Sequence, residues 1–291
     1  MAKPFLKWVG GKSSSLNEIK NYYPTSFPEN YLEPFLGGGA MFFYLSQKQN
    51  FKKIILSDIS KDLINCYEII RENPIKLMHF IDLLSEKYHF SNQENFFYEI
   101  RKAFNEKQYA NNLECAGMFI FLNKTCFNGL FRVNKKGDFN TPFGFHKNPN
   151  FYEKENILSC AELLKNAELK VSDFAEIKLP EEKFFVYLDP PYKPISKTSS
   201  FTSYSGNGFG DLEQNKLADF IFNLSKQGHA ILLSNSSTED NFFQELYRNF
   251  YINKIKASRM INSIASKRGK IDELLISNYN NYVKHELEFN I

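Results

Sequence analysis

The sequence predicts an α/β protein in which a parallel sheet with crossover helices is interrupted by a mostly helical insertion carrying a β-hairpin. Three observations support this reading. A strand, a glycine turn, a helix and a second strand follow one another between Tyr31 and Asp58, the βαβ pattern of a parallel sheet. From Ser60 to Lys124 the apolar residues change to helical spacing. Strand and helix alternation then resumes and runs to Asn278.

In chain order, a loop and a short helix precede a strand over Tyr31–Phe35, the turn Gly37-Gly38-Gly39, a helix over Ala40–Gln47 and a strand over Lys52–Asp58. Leu63, Tyr67 and Ile70, then Leu77, Phe80, Ile81 and Leu84, then Phe97, Ile100 and Phe104 mark successive helices. Asn128–Phe145 alternates apolar and polar residues around Lys135-Lys136-Gly137, which predicts a hairpin with a basic tip. A helix over Lys154–Asn166 leads to strands over Leu169–Val171 and Phe184–Leu188. Ser196–Gly210, rich in Ser, Thr and Gly, is predicted as a mobile loop. A helix over Leu212–Lys226, a strand over Ala230–Ser234, a helix over Glu239–Arg248 and strands over Tyr251–Lys256 and Asp272–Asn278 complete the sheet. Residues 1–59 and 152–291 therefore form one discontinuous domain, and 60–151 the insertion.

Composition excludes several function classes. With 291 residues, 43% hydrophobic and 24% charged, the chain can bury a real core and is not disordered by default. Cys66, Cys115, Cys126 and Cys160 are widely spaced with no CxxC pair, so no zinc knuckle or disulfide framework is expected, and no metal. No apolar run approaches the ~18 residues of a membrane span, and residues 1–11 lack a signal-peptide core; a cytoplasmic protein without a membrane partner is expected. The net charge of +3 is uninformative until it is resolved by window. Residues 119–150 carry +4 and residues 252–270 carry +6, leaving −7 for the rest. Two basic segments flanking a candidate site point to a polyanion. Aromatic residues reach 16%, with 30 Phe, and most of these rings are expected in the core.

Glu33-Pro34-Phe35-Leu36-Gly37-Gly38-Gly39 places glycines between a strand and a helix, where the backbone can approach a ligand. Asp58 ends the next strand, where a carboxylate accepts ribose hydroxyl hydrogen bonds in nucleoside sites. Phe42 stands where a dinucleotide fingerprint needs glycine, and Leu6 stands where a phosphate loop needs one before Gly11-Lys12, so both of those sites are disfavoured. Lys12 is then a solvated lysine or a cation facing a carboxylate-bearing ligand. The sharpest motif is Asp189-Pro190-Pro191-Tyr192, directly after the apolar strand Phe184–Leu188. Two prolines remove two N–H donors, so the turn presents acceptors above the strand end. Such acceptors suit an exocyclic amino group: bonds from its N–H groups to Asp189 and the Pro190 carbonyl favour a pyramidal nitrogen whose lone pair is free to attack a methyl group. Tyr192 offers a ring on which a base could stack, worth ~1–3 kcal/mol.

Phe5-Leu6-Lys7-Trp8-Val9-Gly10-Gly11-Lys12, Glu33–Gly39, Phe127-Asn128-Gly129-Leu130-Phe131-Arg132-Val133-Asn134, Phe139–Gly144, Asp189–Tyr192 and Arg268–Leu275, in that order, resemble the Dam-type DNA adenine-N6 methyltransferases of the DPPY class. The resemblance runs from Phe5 to Asn278 and implies a Rossmann-like S-adenosylmethionine-dependent methyltransferase sheet with an inserted target-recognition domain. It implies methyl transfer from S-adenosylmethionine to N6 of a flipped adenine in double-stranded DNA, with Asp189, Pro190 and Tyr192 as the catalytic set. Trp8, Lys12, Phe35, Asp58 and Asp189 match the family's cofactor contacts, and Phe174 a further pocket position. Lys7, Leu130 and Arg132 match residues that read the target, Phe127 an aromatic inserted into the base stack, and Asn128 adjoins it. The hairpin is similar to that of the GATC-specific branch. A separate cognate restriction endonuclease is a compatible partner, and no oligomer is required.

Cytosine-N4 transfer uses the same direct chemistry and is the nearest alternative. Cytosine-C5 transfer would use a cysteine nucleophile, usually after proline, whereas Asn65, Glu114, Thr125 and Ser159 precede the four cysteines. A non-catalytic DNA-binding module and a nicotinamide-dependent oxidoreductase are the alternatives from other classes. The complete set of Trp8, Lys12, Asp58 and Asp189 argues against the first, Phe42 and the Pro-Pro turn against the second.

Overall fold

The computed structural model of the chain describes residues 1–193, 209–238, 240–258 and 270–280. The loop expected over Ser196–Gly210 lies outside the described residues except for Phe209 and Gly210, and so do Arg259, Lys267 and Arg268 of the second basic segment.

Seven strands, β1 (Asn30–Glu33), β2 (Lys53–Asp58), β3 (Ala167–Val171), β4 (Phe184–Leu188), β5 (Ala230–Ser236), β6 (Tyr251–Ser258) and β7 (Lys270–Ser277), form one sheet in the order β3-β2-β1-β4-β5-β7-β6. The first five pair in parallel, with Leu32 of β1 opposite Ile55 of β2 and Val186 of β4. β7 runs antiparallel between β5 and β6. The strand order reverses between β1 and β4, and open α/β sheets bind ligands outside the carboxyl ends at such a point. β4 is buried along its whole length, which is why it reads as an unbroken apolar run. β1 stops at Glu33 because Pro34 has no N–H to give to the ladder.

Two apolar clusters cover the two faces. Leu32, Val186 and Leu188 pack with Leu217 and Ile221 of α8 (Asp211–Lys226) and with Phe243 of α9 (Phe242–Leu246). This last helix is shorter than the predicted Glu239–Arg248. On the other face, Tyr31, Phe185 and Tyr187 join Ile19 of α1 (Leu16–Ile19) and Phe42 and Phe43 of α2 (Ala40–Ser46), and the cluster continues without a break into the helical segment.

That segment is built around α6 (Asn112–Thr125), which is apolar on nearly all sides and buried from Cys115 to Asn123. α3 (Lys61–Glu72), α4 (Pro74–Phe90) and α5 (Gln93–Asn105) surround it. Ser60, Asn92 and Asn111 cap α3, α5 and α6 by accepting the backbone N–H three residues on, and Pro74 starts α4. α3 and α7 (Lys154–Leu164) pack on each other, and α3 also touches β2 and β3. Among the described residues most of the rings lie in the core or pack against it, as expected; Phe121 and Phe151, for example, stack with centroids 5.5 Å apart. No helix among the described residues is long and apolar enough to cross a membrane.

The predicted hairpin over Asn128–Phe145 is not a regular ladder. Two isolated antiparallel bridges, Cys126 with Phe143 and Val133 with Phe139, take its place. Side chains supply the bonds that strands would otherwise make. Asn105 accepts from Phe139 N and donates to its carbonyl at 2.8 and 3.0 Å, Thr141 Oγ1 donates to the Leu130 carbonyl at 2.6 Å, and Asn134 Oδ1 accepts from the N–H groups of Lys136 and Asp138.

Candidate functional site

The glycine turn after β1 folds back on the N-terminal segment. Gly37 has φ +47°, and a Cβ there would lie 2.7 Å from Trp8 Cδ1 and Nε1; Gly39 has φ +67°, and a Cβ there would lie 2.7 Å from Tyr67 Oη. Both positions need glycine for space as well as for conformation. Asp58, at the end of β2, ties the turn to its own strand: Oδ2 accepts from Gly37 N at 3.0 Å and Oδ1 from Ser60 N at 2.9 Å. Burial pushes the Asp58 carboxyl up, and those N–H groups hold it back. Phe35 meets Phe174 at 5.2 Å and Phe209 at 6.0 Å, forming an apolar wall beside the turn.

Across the strand reversal, Asp189 leaves β4 and meets Lys12. Lys12 Nζ lies 2.7 and 2.8 Å from the two carboxylate oxygens and donates to the Gly10 carbonyl at 2.7 Å. The Lys12 side chain is 4% exposed and that of Asp189 19%. The ammonium also sits 4.9 Å from the centroid of the Tyr192 ring, within range of a cation–π attraction. Burial raises the Asp189 carboxyl, and the Lys12 charge works against it. Pro190 is buried beside them. Residues 177 positions apart thus form one unit.

Two carboxylates without a role in the sequence reading join this unit. Glu33, buried on β1, accepts from Tyr31 Oη at 2.8 Å and is pushed up to about 8 by burial, with Asp189 adding to the rise. Glu273, buried on β7, is raised by burial and by Asp189 and is lowered by Lys12. Burial pushes the Tyr192 phenol up, and the Asp189 and Glu273 charges add to the rise, yet neither Tyr192 Oη nor Glu273 Oε2 has an aligned hydrogen-bond partner among the described residues. Glu33 opens the glycine motif and Glu273 lies in the late motif Arg268–Leu275, so the available signal was membership of a motif.

The residues expected to face DNA gather at the start of the bridged loop. Lys7 is exposed and packs on Gly129, where a Cβ would lie 2.5 Å from Lys7 Cδ. Phe127 is 46% exposed, and Asn128 is exposed with φ +56°. Leu130 is half-buried; Arg132 is exposed, its Nε donating to Asn140 Oδ1 at 2.8 Å. Lys124, just upstream, is pushed down to about 8 by burial and by the Lys7 charge. Trp8 joins the two groups of residues: its ring stacks on Phe131, centroids 5.6 Å apart and planes 13° from parallel.

The family model of the D12 class N6 adenine-specific DNA methyltransferases matches residues 8–261. The chain belongs to this family. As a D12 methyltransferase it is an adenine-specific DNA-methylating enzyme with S-adenosylmethionine as methyl donor. The adenine-specific assignment sets aside the cytosine-N4, oxidoreductase and non-catalytic alternatives. Similarity to curated relatives extends over nearly the whole chain. Type II methyltransferase M.MjaIII of Methanocaldococcus jannaschii is 45% identical, covering 95% of this chain and 99% of its own. Type II methyltransferase M1.LlaDCHI of Lactococcus lactis subsp. cremoris is 38% identical over 96% of each chain. The DNA adenine methylase of Vibrio cholerae serotype O1 is 37% identical, covering 94% of this chain and 95% of its own.

Proposed function

We propose that the enzyme flips an adenine out of double-stranded DNA, within GATC, and methylates its N6 in the pocket formed by Asp189, Pro190 and Tyr192. The observation that carries this reading is the buried Lys12–Asp189 pair at the strand reversal, directly before the Pro-Pro turn. Bound S-adenosylmethionine supplies an electrophilic methyl on a sulfonium centre. Asp189 and the Pro190 carbonyl accept the two N6 hydrogens, Tyr192 stacks on the base, and Lys12 keeps Asp189 an acceptor. On receiving the methyl group, N6 would lose one of its two protons to solvent by way of the acceptors at the turn.

The residues at the turn fit the cofactor. Asp58 Oδ2 and Oδ1 accept from Gly37 N and Ser60 N and retain acceptor capacity, and Phe35 with Phe174 gives an apolar wall. Trp8, Lys12, Phe35, Asp58 and Asp189 would hold it. Lys7, Phe127, Asn128, Leu130 and Arg132 would engage the DNA, with residues 60–151 as the recognition insertion. A guanidinium suits the paired acceptors of guanine, which supports Arg132 as a base reader. Two relatives carry the name Type II methyltransferase, which supports a modification role; action in the cytoplasm and a separate cognate restriction endonuclease belong to the same proposal.

Expression in a methylation-deficient host, followed by digestion of plasmid DNA with methylation-sensitive enzymes recognising GATC, tests the specificity. Protection from a methylation-blocked enzyme is expected, and full cleavage would reject GATC. Asp189→Ala should lose methyl transfer while duplex binding survives; unchanged turnover in that variant would remove Asp189 from the chemistry.

A further inference from the structure

Asn123, near the end of α6, is fully buried, and its carboxamide serves two segments, one of them distant in sequence. Oδ1 accepts from Lys7 N at 2.9 Å, while Nδ2 donates to the Lys7 carbonyl at 2.8 Å and to the Gly129 carbonyl at 3.2 Å. One side chain thus satisfies both backbone groups of a residue 116 positions away and also holds the start of the recognition loop. The geometry requires an amide: an aspartate lacks the donors for the two carbonyls.

A second contact joins the same segments. Trp8 is held on one side by Gly37, where a Cβ would press on the indole, and by Gly38, where a Cβ would meet the Trp8 Cβ at 3.1 Å, and it stacks on Phe131 of the loop. Phe131 is backed in turn by Phe119 at 4.6 Å and Phe139 at 5.5 Å. The turn after β1, the Lys7–Trp8 segment and the loop that carries Arg132 therefore form a continuous packed chain.

We propose that Asn123 is a positioning residue for sequence readout: with the Trp8–Phe131 stack, it couples the cofactor-side turn to the recognition loop, so that Lys7 and Arg132 meet DNA as one rigid unit. This rests on the reading of Lys7 and Arg132 as base contacts. Asn123 touches no base. It holds the backbone from which Lys7 projects in register with the loop, whose own strands meet in two isolated bridges and not in a continuous ladder.

The test uses the full chain and compares kcat/KM on an unmethylated duplex bearing the target site with duplexes altered at one base. Trp8 is the single tryptophan of the chain, so its emission reports the stack directly. Asn123→Asp keeps the side-chain size, and Phe131→Leu keeps an apolar residue while removing the ring; the second variant covers the case in which the first does not fold. Each should lower discrimination about tenfold, leave kcat on saturating cognate duplex within about threefold, and shrink the DNA-induced change in Trp8 emission. Combined with Arg132→Ala, neither should add its full separate effect. Wild-type discrimination in a folded variant, or full additivity with Arg132→Ala, would overturn the proposal. If Arg132→Ala alone leaves discrimination intact, the readout assignment fails, and the coupling is judged on emission: loss of the DNA-induced change in Phe131→Leu supports it, and retention overturns it.

Discussion

Replacing Lys12 by methionine removes a charge while keeping an unbranched side chain of similar length, and its effect on Asp189 can be worked from the geometry. The ammonium lies 2.7 and 2.8 Å from the two carboxylate oxygens, and both side chains are largely buried. An opposite charge so close lowers a carboxyl pKa by about 1–3 units, each unit worth about 1.4 kcal/mol. Burial already holds Asp189 above the ordinary carboxylate value, so loss of Lys12 raises it further. Methyl transfer needs the ionised acceptor, and the acid limb of the rate profile should therefore move up by about 1–3 pH units. The assay is labelled-methyl transfer at saturating S-adenosylmethionine and duplex over about pH 5 to 9, which separates this effect from weakened cofactor binding. A Lys12→Met enzyme with the wild-type acid limb would refute the argument that Lys12 keeps Asp189 ionised. Stability carries the same sign. A carboxyl raised on folding stabilises fully below its unfolded pKa, and that contribution is lost as pH rises through the folded value. The variant extends that window upward, so its loss of stability should be larger at neutral than at acidic pH.

Two further predictions concern other parts of the molecule. Burial pushes the Glu33 carboxyl up to about 8, against 4.5 ordinarily, so its stabilising contribution is present below 4.5 and is lost as pH rises through 8; Glu33→Gln should flatten this decline in a urea-unfolding series, and an unchanged pH dependence would contradict the burial argument. Lys135 and Lys136, exposed at the loop tip, should each contribute about 0.9 to the slope of log binding constant against log salt if they meet phosphates. Lys135→Ala/Lys136→Ala should flatten that slope, and a slope that stays put would take the tip off the DNA.

Local pattern carried much of the architecture. Strand order along the chain, the glycine turn, the helical interruption and the Asp-Pro-Pro-Tyr turn were legible because periodicity, missing N–H groups and positive φ leave marks on adjacent residues. The loop over Asn128–Phe145 shows the limit. Its alternation predicts strands, but Asn105 and Thr141 take over backbone bonds that a ladder would use, and nothing local reveals that Asn105 reaches Phe139.

The sequence by itself determined the fold class, the family motifs and the residue types available at the site. Tertiary structure decided their company. β7 lies antiparallel beside β5, bringing Glu273 to the Tyr192 side of the site; Glu33 lies one strand from β4 and feels Asp189; and Asn123 holds Lys7 across 116 positions. These relations depend on which strands become neighbours and on how deeply each group is buried. Desolvation and Coulomb energy are set by distance and surroundings in space, and spacing along the chain does not encode them.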